Sequence, residues 1–173
     1  NEAIYYLRTE RKKGVFSGKE ELEESQLTLE CLRYMYRLLF LFYIEARPEL
    51  GYVPIKAESY RKGYSLETLR DLELIQLSTE ESKNGTYLHE SLQMLFKLIY
   101  DGYEPHKAKS QSSLALGGDP LHNTFSLTSL HTHLFDPERT PTLTKVKLRN
   151  CVVQEIINLL SLSRPGGKNK RRG

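Results

Sequence analysis

Cysteine is scarce in this 173-residue chain: Cys31 and Cys151 are the whole complement. Two thiols so far apart in sequence cannot build a disulfide framework or a four-cysteine zinc site, and no Cys-x-x-Cys pair is present. A reduced, cytosolic setting is the expectation. Long apolar runs are missing as well. The longest, residues 38–44, falls far short of the roughly 20 residues that cross a bilayer, so no membrane partner is expected. No glycine-rich loop follows a strand pattern, which excludes a dinucleotide fingerprint and a phosphate-cradling P-loop. No Gly-x-Ser-x-Gly elbow offers a serine nucleophile. Internal repeats are absent. No signal peptide follows Asn1, and the chain reads as a piece of a longer polypeptide.

What is present suits one ordinary domain. At 39% hydrophobic and 27% charged, the chain has enough apolar side chains to exclude wholesale disorder. Its net charge of +3 is unevenly placed. Arg164, Lys168, Lys170, Arg171 and Arg172 crowd residues 164–173 with no acid among them, which leaves the remainder slightly acidic. A broad nucleic-acid-binding face is therefore not indicated by totals. Pro165 and the tail's glycines forbid a regular element, so the tail reads as a solvated basic linker or a phosphate-contacting loop.

Helical periodicity dominates, and the expected fold class is mainly α: an irregular helical domain with long loops and a short extended segment. The clearest helix spans residues 25–46, with Cys31, Leu32, Met35, Leu38, Leu39 and Phe42 at three- and four-residue steps. Its second half is apolar all round, which predicts burial from several sides and a central place in the fold. Pro48 and Gly51 end it. A turn-rich connector over 48–63 leads to Ser65, a candidate N-cap for a helix with Leu66, Leu69 and Leu72 on one face. The polar stretch 78–85 breaks that helix. A further helix over 86–100 sets Leu88, Leu92, Leu95, Phe96 and Ile99 in register, and Asp101-Gly102 stops it. Residues 104–144 lose the pattern and read as a long connector with a functional or partner-covered role. Val146 and Leu148 then alternate with lysines, and Asn150 is placed to cap a last helix carrying Val152, Val153, Ile156, Ile157 and Leu160. Ile4, Tyr5 and Leu7 suggest a helix near the start. The expected organisation is an N-terminal segment 1–24, a helical domain 25–163, and a basic linker 164–173 towards a downstream domain.

Three groups of residues invite chemistry. His122, His131 and His133 with Asp136 could ligate zinc or iron, although a His-x-His pair aims both rings one way only in an extended segment; loop histidines against a partner are the plainer reading. Tyr52, Tyr60 and Tyr64 surround Arg61 and Lys62, an interleaving that can stack on bases and hold phosphates, or cover a core with wet hydroxyls. Tyr43, Glu45 and Arg47 close the central helix. Two residues apart, Glu45 and Arg47 point in different directions and cannot pair, so each needs another partner if buried; structural ion pairing is expected there before catalysis.

At these residues the chain resembles a known family. Residues 32–47, Leu-Arg-Tyr-Met-Tyr-Arg-Leu-Leu-Phe-Leu-Phe-Tyr-Ile-Glu-Ala-Arg, are similar to a helix of large bacterial class I adenine-specific DNA methyltransferases. That group includes fused type II restriction–modification enzymes and related phage-defence methylases. Residues 64–71 and 92–102 follow the same pattern, and Leu134-Phe135-Asp136-Pro137 looks like the family's Gly-Leu-Phe-Asp turn with His133 in the glycine's place. Residues 150–162 match the helix that leads towards the methyltransferase core.

The resemblance implies a part of an enzyme. The family's cofactor loop and catalytic Asn-Pro-Pro-Tyr motif lie downstream of this region, and neither occurs here. No catalytic residue, cofactor-binding residue or metal ligand is therefore assigned. S-adenosylmethionine is implied for the parent enzyme and DNA is its implied partner. The expected role is a helical spacer that packs against the methyltransferase domain of the same chain and lines the DNA channel. Contact with DNA is expected from Arg61, Lys62, Arg164, Lys168, Lys170, Arg171 and Arg172, with Tyr43, Glu45, Arg47, Leu134, Phe135 and Asp136 as structural motif residues. Two rivals stay open: a free-standing helical module whose 104–144 loop binds a protein, and a small metal-dependent enzyme built on the three histidines.

Overall fold

A computed structural model of the chain describes residues 1–12, 24–73, 77–105 and 125–161. The protein is mainly helical, and no extended strand occurs among the described residues. Among the described residues eight α-helices follow in order: α1 (Glu2–Lys12), α2 (Glu24–Glu45), α3 (Glu58–Gly63), α4 (Leu66–Glu73), α5 (Glu80–Asn84), α6 (Tyr87–Asp101), α7 (Pro141–Lys145) and α8 (Asn150–Ser161). Single 3-10 turns sit at Pro48–Leu50 and Pro137–Arg139. No helix of the described residues is long and apolar enough to cross a membrane.

α2 is the longest element, and it packs on α4 and α7, while α8 packs on α4, α5 and α6. The expected i, i+4, i+7, i+8, i+11 face of α6 is the observed one: Leu88, Leu92, Leu95, Phe96 and Ile99 are all buried. α2 departs from expectation. Of the expected stripe only Leu38 is buried, whereas Leu32, Met35 and Leu39 are exposed. The buried face instead runs through Leu27, Glu30, Tyr34, Arg37, Leu38, Leu41, Ile44 and Glu45. An all-apolar pattern does not say which face is covered, and three charged residues on the covered one disguise it.

Two polar stretches read as breaks hold short helices. α3 lies inside the connector 48–63, and α5 lies inside 78–85. α5 starts from a reciprocal cap in which Thr79 Oγ1 accepts from Ser82 N–H and Ser82 Oγ accepts from Thr79 N–H. Ser65 caps α4 as expected, its Oγ accepting from Thr68 N–H at 3.2 Å. Asn150 behaves differently. Its side chain turns away from α8, accepting from Leu88 N–H at 3.0 Å and donating to the Ser82 carbonyl at 2.9 Å. It thereby caps α6 and the end of α5, and its own N–H donates to Gly85 O at 2.7 Å. Beside it Arg149 grips the Glu2 carboxylate through Nε and Nη2 at 2.7 and 3.0 Å, which ties α1 to the start of α8.

The long connector is not a bare surface loop in its described part. Phe125, Leu127, Phe135 and Leu143 are core residues. Tyr103 and Leu127 exchange both backbone hydrogen bonds at 2.8 Å, an isolated antiparallel bridge. Gly102 makes this approach possible. Its φ is +75°, and a Cβ there would meet Ser129 N at 2.6 Å and Leu127 O at 2.7 Å. Val146 and Leu148 are both buried, Val146 in extended backbone, and neither has a strand partner among the described residues.

Gly102→Ala is expected to cost about 3 kcal/mol, from backbone strain and the clash with main-chain atoms together. Urea unfolding monitored by circular dichroism measures it; a loss below about 0.5 kcal/mol would show that the bridge relaxes freely.

Candidate functional site

α2 carries ionisable groups on its buried face, and their partners identify what the motif residues do. Near its start Glu30 is buried, and Oε2 accepts from Thr142 N–H at 2.9 Å and Leu143 N–H at 2.8 Å. These are the free donors at the start of α7, whose first residue, Pro141, has none to offer. Seven residues on, Arg37 donates from Nε to Leu134 O at 2.6 Å and from Nη2 to Asp136 O at 3.0 Å. Its guanidinium lies 5.3 Å from the centre of the Phe96 ring. Burial lowers its pKa, and the nearby Arg33 adds to that. At the helix end Glu45 accepts from Leu66 N–H at 2.9 Å, Glu67 N–H at 3.0 Å and the buried Tyr60 hydroxyl at 2.9 Å. With Ser65 on Thr68, the first three amide donors of α4 are all satisfied.

The motif residues are therefore structural in unequal ways. Glu45 is held by a hydroxyl and by amides, not by the ion pair expected for it. Arg47 is exposed, and its guanidinium sits 5.4 Å from the centre of the exposed Tyr43 ring. Leu134, Phe135 and Asp136 form a turn strapped to the middle of α2. Phe135 packs on Phe40 and Phe96, and Asp136 caps the 3-10 turn through Glu138 N–H at 2.9 Å. Glu30 and Arg37 were not singled out from the sequence. The available signal was opposite charge at i and i+7, which sets both side chains on one face of the helix.

The tyrosine cluster is mostly occupied. Tyr60 is fully buried and meets Phe125 edge-on, so its ring is closed to a base; Tyr64 meets Phe125 in the same way and is half-buried. Tyr52 is exposed and leans on Phe40. Arg61 and Lys62 occupy the exposed last turn of α3, with Lys62 paired to Glu58. Lys62, Tyr64 and Ser65 also border a hollow of about 50 Å³ against Tyr87 and Met94, too small for a nucleotide-sized ligand. Arg164, Lys168, Lys170, Arg171 and Arg172 lie outside the described residues, as does His122. His131 and His133 are exposed; His131 meets Tyr100 edge-on, and no metal-ligating group of three occurs among the described residues.

Two buried titratable groups remain among the described residues, Tyr34 and His89. His89 on α6 stacks against Tyr34 with ring centres 6.1 Å apart, and both the Tyr34 hydroxyl and His89 Nδ1 lack a hydrogen-bond partner among the described residues. Burial pushes the His89 pKa down to about 4, against a smaller opposing effect of its hydrogen bond with the Val146 backbone. Burial pushes the Glu45 carboxyl up, opposed by the bonds from Leu66, Tyr60 and Glu67.

No family model, curated protein or solved structure matches the chain significantly.

Glu45→Ala leaves a buried hydroxyl and two helix-terminal amides without an acceptor, and is expected to cost about 3 kcal/mol. Tyr60→Phe in that background should recover part of the loss, which a double-mutant cycle in urea measures. The two pKa shifts act oppositely on stability. His89 binds its proton less tightly when folded, so stability is lost as pH falls from about 6.5 towards 4. Glu45 binds its proton more tightly when folded, so its contribution is present at low pH and fades as pH rises through its folded-state pKa. Between pH 6.5 and 5 the histidine contributes a loss of about 2 kcal/mol, and His89→Leu should remove that slope in unfolding measured at fixed pH steps.

Proposed function

We propose that the chain is a non-catalytic helical domain of a larger cytoplasmic DNA adenine methyltransferase or restriction–modification enzyme, packing against the methyltransferase domain. The observation that carries this reading is the division of α2. One face holds Glu30, Arg37 and Glu45 on the backbone of three other segments, while the opposite face leaves Leu29, Leu32, Tyr36, Leu39 and Tyr43 exposed. An apolar stripe of that length on a soluble domain is a surface made to be covered. The residues that resemble the family's motifs, 43–47 and 134–136, serve the helix and its strap, as a spacer requires. The chemistry belongs to a downstream domain that binds S-adenosylmethionine, and DNA contact from this part falls to Arg61, Lys62 and the tail cations 164–172. A free-standing module recognising protein through 104–144 has less to support it, because Phe125, Leu127 and Phe135 turn inward.

The coding frame beyond residue 173 is expected to specify an Asn-Pro-Pro-Tyr motif, and the extended protein to transfer methyl groups to adenine N6. A frame that lacks the motif overturns the reading. On a generic duplex the 173-residue chain should bind weakly, with log K falling against log salt at a slope of about 3 to 4. Anisotropy with Lys168, Lys170, Arg171 and Arg172 changed to Ala should remove most of that slope, leaving what Arg61, Lys62 and Arg164 supply; an unchanged slope removes the tail from the DNA path.

A further inference from the structure

The outer face of α2 has a definite chemistry. Leu29, Leu32, Tyr36, Leu39 and Tyr43 recur at alternating steps of three and four, and each is between 43 and 60% exposed, with Met35 beside them. That alternation is the seam of two helices packed side by side. Cations border it. Arg33 lies along one edge, its Nη1 donating to Arg139 O at 2.9 Å, and Arg47 closes the end over the Tyr43 ring. Neither pairs with a carboxylate among the described residues. Within residues 25–47 the acids are Glu30 and Glu45, both buried on the opposite face. Between residues 25 and 47 the surface is thus an apolar seam with two bordering cations and no exposed acid.

From this charge pattern we infer that the stripe docks an amphipathic protein helix that carries acidic residues along the border facing Arg33 and Arg47. The inference rests on the packing role proposed above and specifies its partner. A second copy of the chain fits less well: laid along itself, the stripe offers Arg33 no carboxylate from residues 25–47, whose acids Glu30 and Glu45 are buried on the opposite face. A nucleic acid fits worst, since large apolar side chains would face phosphates. Each arginine on the rim would strengthen encounter and register, and the leucines and tyrosines between them would supply the buried area.

The test uses the 173-residue chain and two synthetic three-heptad peptides with leucine at both seam positions, one flanked by Glu and the other by Lys. Fluorescence anisotropy should show the Glu peptide binding on the order of tenfold more tightly. The doubly substituted chain Arg33→Glu, Arg47→Glu should reverse that preference. Leu32→Asn with Leu39→Asn should abolish binding of both peptides while circular dichroism and the melting temperature stay near those of the parent, since both side chains are exposed. Equal binding of the two peptides, or binding of neither, overturns the inference. So does a dimer of the chain in sedimentation velocity that Leu39→Asn dissolves. The enzyme context is judged separately: a frame without the downstream motif leaves the peptide preference standing, and a lost preference leaves the motif standing.

Discussion

An ion removed from water without partners costs several kcal/mol, yet α2 buries Glu30, Arg37 and Glu45 on one face. None is satisfied by another of the three. Each reaches at least two main-chain groups of a segment distant in sequence. For the two glutamates those groups are the amides at a helix start, where free donors and the helix dipole both favour a negative charge. For Arg37 they are carbonyls of the turn at 134–136. The arrangement makes α2 a spine from which α4, α7 and that turn are positioned. Removing any of the three side chains leaves donors or acceptors that the short helices cannot satisfy themselves.

The same arrangement explains what could be read from residues alone. α6 and α8 were legible because each buries one apolar face and leaves the other mostly polar, so the pattern of burial follows the 3.6-residue period. The extent of α2 was legible as well. Its orientation was not, because Leu32, Met35 and Leu39 look as fit for burial as Leu38, Leu41 and Ile44. Only the tertiary partners of Glu30 and Arg37 decide between the faces. Short helices such as α3 and α5 were hidden by their polarity; they stand on caps and neighbours more than on propensity. Asn150 illustrates a further limit. A residue with the chemistry of a cap was recognised, but the helix it caps lies 62 positions earlier in sequence.

Of the candidate functional residues, Glu45 fastens the start of α4 and 134–136 is the turn that Arg37 fastens, while Arg47 stays outside both clamps. The histidines and the tyrosine–lysine connector do not assemble into a site among the described residues. What remains open on the domain is a helix face, apolar in the middle and cationic at its border. The domain's internal order and its outward offer therefore come from the same helix, turned half a revolution. A surface of this kind is positioned as rigidly as the core behind it, which favours docking without rearrangement.

Because the clamps on α2 engage main-chain atoms, they do not read the side chains of the segments they hold. Most replacements at Glu67 or Thr142 leave the gripped amide where it was. Proline at 66, 67, 142 or 143 is different, since it deletes the donor itself. The sequence constraint is thus asymmetric: heavy on three positions of one helix, light on the loops and helix starts they fasten. Those loops can change their outward character while staying in place, which lets one frame present different surfaces to whatever lies beside it.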